Sequence, residues 1–207
     1  MTVAQSLLAF IAAASLLTIT PGVDTAMVLR WATTGGPRPA ALALIGIAAG
    51  CLIWGAAISL GMGALLAASA LGFTLVKFAG AAYLVWLGLH LFLHPRESFA
   101  PSLTGTKGRG SLPAFRQGFL SNILNPKMGV FYVTFLPQFV PEGVNVATFA
   151  LLLAVIHVGL TLVWFTMLIA ATAPIGHLLR QKHVLRAIDR IAGGVFIAFG
   201  ARLAFSR

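Results

Sequence analysis

Charge is scarce in this sequence: 9% of its 207 residues are Asp, Glu, Lys or Arg, where a soluble domain carries about 25%. So little charge cannot cover a water-facing surface, which excludes an ordinary soluble domain. Acidic residues are rarer still, 4 against 14 Lys and Arg, and paired-carboxylate catalysis has almost no material. Only one cysteine is present, Cys51, inside an apolar block. An intrachain disulfide is therefore excluded, and no redox compartment can be read. The H-E-x-x-H helix, the G-x-S-x-G turn and a phosphate-cradling glycine loop are also missing. No enzyme activity and no cofactor are expected.

What is present is apolar. Hydrophobic residues make up 59% of the chain and its mean hydropathy is +0.96. They fall in blocks near or above the ~20 residues that cross a bilayer. The expected fold is an all-α integral membrane protein with six spans, at 4–29, 39–66, 71–93, 115–139, 146–173 and 187–205. The first block could be mistaken for a signal peptide, with Ala12 to Ala14 imitating a cleavage site. It has no basic n-region, so an uncleaved first helix is expected. Gly46 and Gly50 form a small-xxx-small pattern that lets helices approach closely.

The net charge of +10 does not indicate nucleic acid, because the basic residues lie between apolar blocks. Arg30, Arg38, Arg96, Lys107, Arg109, Arg116, Arg180, Lys182, Arg186 and Arg190 all belong to odd-numbered connections. By the positive-inside rule these connections face the cytoplasm, placing both termini outside. The polar, Gly-rich and basic run at 94–114 reads as a cytoplasmic linker. It separates two three-helix units, 1–93 and 115–207.

Two prolines interrupt spans at matching depth. Thr20-Pro21-Gly22 lies in the first span and Asn125-Pro126-Lys127 in the fourth. Proline removes a backbone donor and clashes with the preceding turn, so each helix should break there. Pro21 precedes Arg30 by nine residues and Pro126 follows Arg116 by ten. At ~1.5 Å per residue, each lies roughly 14 Å from the cytoplasmic boundary, near the middle of a ~30 Å core. Lys77-Phe78-Ala79-Gly80-Ala81 is also faintly similar to Arg190-Ile191-Ala192-Gly193-Gly194. With three spans per half, equivalent helices run in opposite directions, and paired broken helices in inverted repeats mark a transport site. Thr20 and Asn125 suit the N-cap, each followed by a proline suited to the first helical position. Two half-helix N-termini aimed at the centre would attract a carboxylate.

Asp24 and Lys127 follow the breaks, and an ionisable residue inside a span is a functional candidate by default. They read either as a structural ion pair or as ligands, Asp24 for a substrate ammonium or coupling proton and Lys127 for a carboxylate. Asn122 and Asn125 share a helical face. Gln138 suits the interface, and His157 reads first as a packing histidine. His90, His94 and Glu97 have helical spacing but lie at a helix end where histidines suit the dipole. No metal site is assigned.

Thr20-Pro21-Gly22-Val23-Asp24-Thr25, Ala79-Gly80-Ala81-Ala82-Tyr83-Leu84, the stretch Phe115 to Lys127, and Phe135-Leu136-Pro137-Gln138-Phe139-Val140 resemble the lysine/homoserine-exporter (LysE/RhtB) family. The resemblance spans nearly the whole chain. It implies a six-helix inner-membrane exporter that moves amino acids outward on the proton gradient. Where the family often has a second proline, this chain has Val23. The expected substrate site comprises Thr20, Pro21, Gly22, Asp24, Asn122, Asn125, Pro126 and Lys127, with Asp24 coupling protons to a small zwitterion. The competing expectations are a metal-ion carrier and a membrane enzyme or scaffold. The solute's identity and any homo-oligomer stay open.

Overall fold

The computed structural model describes residues 2–68, 78, 81–82, 85–86, 88–90, 92–94, 111–179, 181–183, 186–187, 190–191, 193–194, 197–198 and 201. The regular structure among the described residues is helical, and its continuous elements are α1 (Val3–Ile19), α2 (Val23–Thr34), α3 (Pro37–Ala68), α4 (Ser111–Ile123), α5 (Pro126–Val130) and α6 (Val146–Leu179). After α5 the helix continues through a π turn, Phe131–Phe135, and a tighter 3-10 turn, Leu136–Phe139.

Local chemistry explains the ends. Thr2 and Gln5 form a reciprocal capping box that satisfies two backbone donors at the start of α1. Between α2 and α3 the chain turns through Gly36 at φ +88°, a left-handed conformation that costs glycine little. Pro37 then opens α3 at a position that tolerates a missing N–H.

Among the described residues, two helical stretches are long and apolar enough to cross a membrane alone, Pro37–Gly61 and Val146–Thr172. They correspond to the expected second and fifth spans. The α1 and α2 helices make a third if the bent pair counts as one span, with 54° between their axes. The expected fourth span corresponds to α4 and α5 with their continuation, and α4 begins at Ser111, within the stretch read as linker. The expected third and sixth spans, and most of the linker, lie largely outside the described residues.

The packing is that of helices against helices under lipid. The long α3 runs along both α4 and α6. A Cβ on Gly46 would lie 2.2 Å from the Phe115 carbonyl oxygen, and one on Gly118 only 2.0 Å from the Ala43 carbonyl oxygen. The α3 and α4 backbones therefore touch, as the small-residue spacing at Gly46 and Gly50 implied. Gly88 and Gly193 meet in the same way, each leaving 2.6 Å between a Cβ and the other's carbonyl oxygen. The interior combines Phe10, Ile47, Phe131, Leu136 and Leu153 with fully buried polar residues such as Ser6 and Asn122. Outside, Leu60 is 79% and Leu8 70% exposed. Such surfaces suit hydrocarbon, and the protein is a helical membrane protein.

Candidate functional site

The first break is built differently from its sequence expectation. Thr20 ends α1 instead of starting α2: its N–H and its hydroxyl both bond back to the Leu16 carbonyl, at 3.0 and 2.6 Å. A residue before proline is driven out of helical geometry, and Thr20 is accordingly extended at ψ 117°. Gly22, not Thr20, is the N-cap, and Pro21 lies in the link, not in the first helical turn. The Thr25 hydroxyl accepts from the Gly22 N–H at 3.2 Å, which is half a capping box, since glycine has no side chain to complete it. Asp24 thus falls in the first turn of α2, where the helix dipole favours a negative charge.

The second break follows its expectation. Asn125 is the N-cap, its Oδ1 accepting from the Lys127 N–H at 3.0 Å, with Pro126 beginning α5. With Gly22 and Asn125 as the two caps, Asp24 and Lys127 each stand two residues after a cap. They occupy equivalent positions with opposite charge.

Each charge is held by the other half of the chain. The Asp24 carboxylate is 4% exposed. It accepts from Ser121 Oγ at 2.8 Å, Asn122 Nδ2 at 2.9 Å and Asn125 Nδ2 at 3.4 Å. Lys127 Nζ donates to the Leu17 carbonyl at 2.8 Å and the Thr20 carbonyl at 2.9 Å. In an unbroken helix the Leu17 carbonyl would receive the N–H of residue 21, which proline does not have. The Lys127 ammonium supplies the missing donor at the negative end of the α1 dipole. Breaks roughly a hundred residues apart in sequence therefore complete each other.

Between them lies a small cavity of about 20 Å³, room for a water or two and less than an amino acid needs. Thr20, Gly22, Asp24, Asn122, Asn125 and Lys127 line it, with Leu17, Ile47, Met128 and Phe165 as apolar wall. Pro21 and Pro126 shape the breaks without lining the cavity. The Asn122 side chain needs Gly50 beside it: a Cβ there would come within 2.6 Å of Asn122 Oδ1. That oxygen is buried and has no hydrogen-bond partner among the described residues.

Several wall residues were not singled out from sequence. Thr25, Thr161 and Cys51 line the cavity, and Ser121 holds Asp24. His157, read first as a packing residue, is also in the wall and is 1% exposed. Its helical spacing with Thr161 and Phe165 is the one sequence signal that could have placed it. Gln138 donates to the Thr134 carbonyl at 2.6 Å, bracing the helix after the break. His90 stacks between Trp86 and His94, at 5.7 and 5.4 Å between ring centres; Glu97 lies outside the described residues. Among the described residues no three His, Cys, Asp or Glu side chains are gathered to hold a metal ion.

The arrangement places a buried anion and a buried cation on opposite sides of one small polar-lined cavity. Comparison with known proteins agrees with a transport protein. The family model for LysE type translocators matches residues 15–207. An uncharacterized membrane protein, YrhP, of Bacillus subtilis is 32% identical, covering 98% of this chain and 100% of its own. A homoserine/homoserine lactone efflux protein of Salmonella typhi is 28% identical, with 96% of each chain covered. A threonine efflux protein of Escherichia coli is 27% identical, over 91% of this chain and 92% of its own. No solved structure gives a significant match. The chain belongs to the LysE-type translocator family, whose members are membrane transporters and not enzymes.

Proposed function

We propose that this protein is a secondary exporter that moves small zwitterionic amino acids out of the cell, coupled to protons, by alternating access around the cavity between the two breaks. The relatives named for homoserine and threonine efflux favour a small hydroxylated amino acid. The observation that carries the reading is the reciprocal holding of Asp24 and Lys127 across the two breaks. A solute ammonium would sit against Asp24, and its carboxylate against Lys127 and the N-terminus of the helix that begins at Pro126. Thr20, Gly22, Asn122 and Asn125 line the same space, while Pro21 keeps the first break open.

The equivalent placement of Asp24 and Lys127 after their caps supports two inverted three-helix units, 1–93 and 115–207, joined by a cytoplasmic linker at 94–114. The protein then has six spans in the cell inner membrane, with basic loops inside and both termini outside. Asp24 is also the proposed proton carrier: a carboxyl that loses its solute partner while cut off from water can bind a proton and release it when the site reopens. The zwitterion must compete with the hydrogen bonds that Ser121, Asn122 and Lys127 make in its absence, so binding and rearrangement of the halves are one event.

The test uses purified protein in proteoliposomes loaded with unlabelled solute, with labelled threonine, homoserine and a panel of other amino acids outside. Counterflow of at least one amino acid, accompanied by proton movement, is expected. Asp24→Asn should abolish the proton movement. Substrate-driven proton flux unchanged in Asp24→Asn would overturn the coupling role, and no flux of any amino acid would overturn the exporter reading.

A further inference from the structure

The two charges can grip only the ammonium and carboxylate that every amino acid shares, so discrimination between amino acids has to come from elsewhere in the cavity wall. The threonines and asparagines at the two breaks are largely committed to the breaks themselves, as Thr20 is to Leu16 and Asn125 to Lys127, whereas α6 contributes His157 and, one turn on, Thr161 to the same wall. Resting on the exporter reading, we propose that His157 is a specificity-determining residue: its Nε2–H donates to an oxygen on the solute's side chain, selecting small hydroxylated amino acids over apolar isosteres.

The imidazole is fixed and its polarity is set. Its ring packs against Phe131 and Tyr132, with centroids 5.0 and 5.5 Å away. Nδ1 lies 2.9 Å from the Tyr132 hydroxyl, and Tyr132 is itself completely buried. A buried phenol must place its proton on an acceptor. The neighbouring Cys51 offers only a thiol sulfur, a weak acceptor, whereas an unprotonated imidazole nitrogen is a strong one. Tyr132 therefore donates to Nδ1. In the neutral ring the proton then resides on Nε2, the nitrogen that Tyr132 does not engage, and His157 is one of the residues that line the cavity.

That arrangement makes His157 a donor of fixed direction. An apolar solute of the same shape would leave the Nε2–H buried without a partner, and an unmet buried donor costs more than a mere absence of attraction. Threonine and valine differ in this one respect, hydroxyl against methyl. Thr161, on the same face of α6, can exchange a second hydrogen bond with the solute hydroxyl.

The experiment measures kcat/KM for counterflow of labelled L-threonine and L-valine in proteoliposomes of the full-length protein. The wild type should prefer threonine. His157→Phe should lower the threonine-to-valine ratio about tenfold, the worth of one buried hydrogen bond, mostly through the KM for threonine. His157→Gln, whose amide nitrogen can reach the Nε2 position, should retain most of the preference. Tyr132→Phe releases the tautomer and should lower the ratio by a smaller factor, which keeps the idea testable should His157→Phe not fold. An unchanged ratio in His157→Phe, or in Tyr132→Phe, would overturn the assignment. Equal transport of threonine and valine by the wild type would overturn it while leaving the exporter reading intact; no amino-acid flux at all would remove both.

Discussion

If the Lys127 ammonium replaces the amide that Pro21 lacks, the two residues should be energetically coupled, and the coupling has a calculable size. Lys127→Met removes two charge-assisted hydrogen bonds, to the carbonyls of Leu17 and Thr20, each worth about 1.5–3 kcal/mol. Relief of the ammonium's desolvation offsets part of that loss, and a net destabilisation of about 3 kcal/mol is expected. Pro21→Ala frees Thr20 from the pre-proline bias and lets the N–H of residue 21 reach the Leu17 carbonyl. In that background one of the two carbonyls already has a donor, so Lys127→Met should cost about 1.5 kcal/mol less. The assay is a double-mutant cycle on purified protein, with helix content followed by circular dichroism as a denaturing detergent replaces a mild one. Additivity of the two substitutions within about 0.5 kcal/mol would refute the replacement argument, whatever each does alone.

Other consequences can be tested separately. Gly118→Ala forces a methyl group into the Ala43 carbonyl and should lower stability by about 1–3 kcal/mol, the usual cost of overpacking. Gly159→Ala meets nothing within 4 Å and should leave the midpoint of thermal unfolding unchanged or raise it; similar effects of the two would argue against the backbone contact between α3 and α4. Asn122→Ala removes the 2.9 Å bond to Asp24 and should reduce transport kcat/KM about tenfold in protein that still folds, as measured by counterflow. Thr2→Ala breaks the capping box at the start of α1 and should cost about 1 kcal/mol of stability without changing transport.

The membrane class, the positions of the second and fifth apolar helices and the existence of both breaks were legible because each rests on nearby residues. Hydropathy is a property of a continuous segment, and a proline breaks a helix through its own ring and missing N–H. The Asn125-Pro126 cap likewise involves only neighbours, and it was read correctly. The first break went wrong by two residues for an equally local reason. Thr20 satisfied the N-cap preference, but its position before proline and the reach of the Thr25 hydroxyl favoured Gly22. Only with that shift do Asp24 and Lys127 fall in equivalent positions.

The partners of the charges lay beyond the reach of any local pattern. Nothing near Lys127 in sequence indicates that its ammonium ends at the Leu17 and Thr20 carbonyls, or that Ser121 would join Asn122 on Asp24. For His157 the sequence offers only its helical spacing with Thr161 and Phe165; its contact with Tyr132, in the π turn across from it, is made by packing alone. Sequence alone determined that this chain must live in lipid and where its helices cannot continue, since solvation and backbone sterics act residue by residue. Only the tertiary structure decided which distant groups satisfy the broken ends, because a hydrogen bond is met wherever packing brings donor and acceptor to about 3 Å.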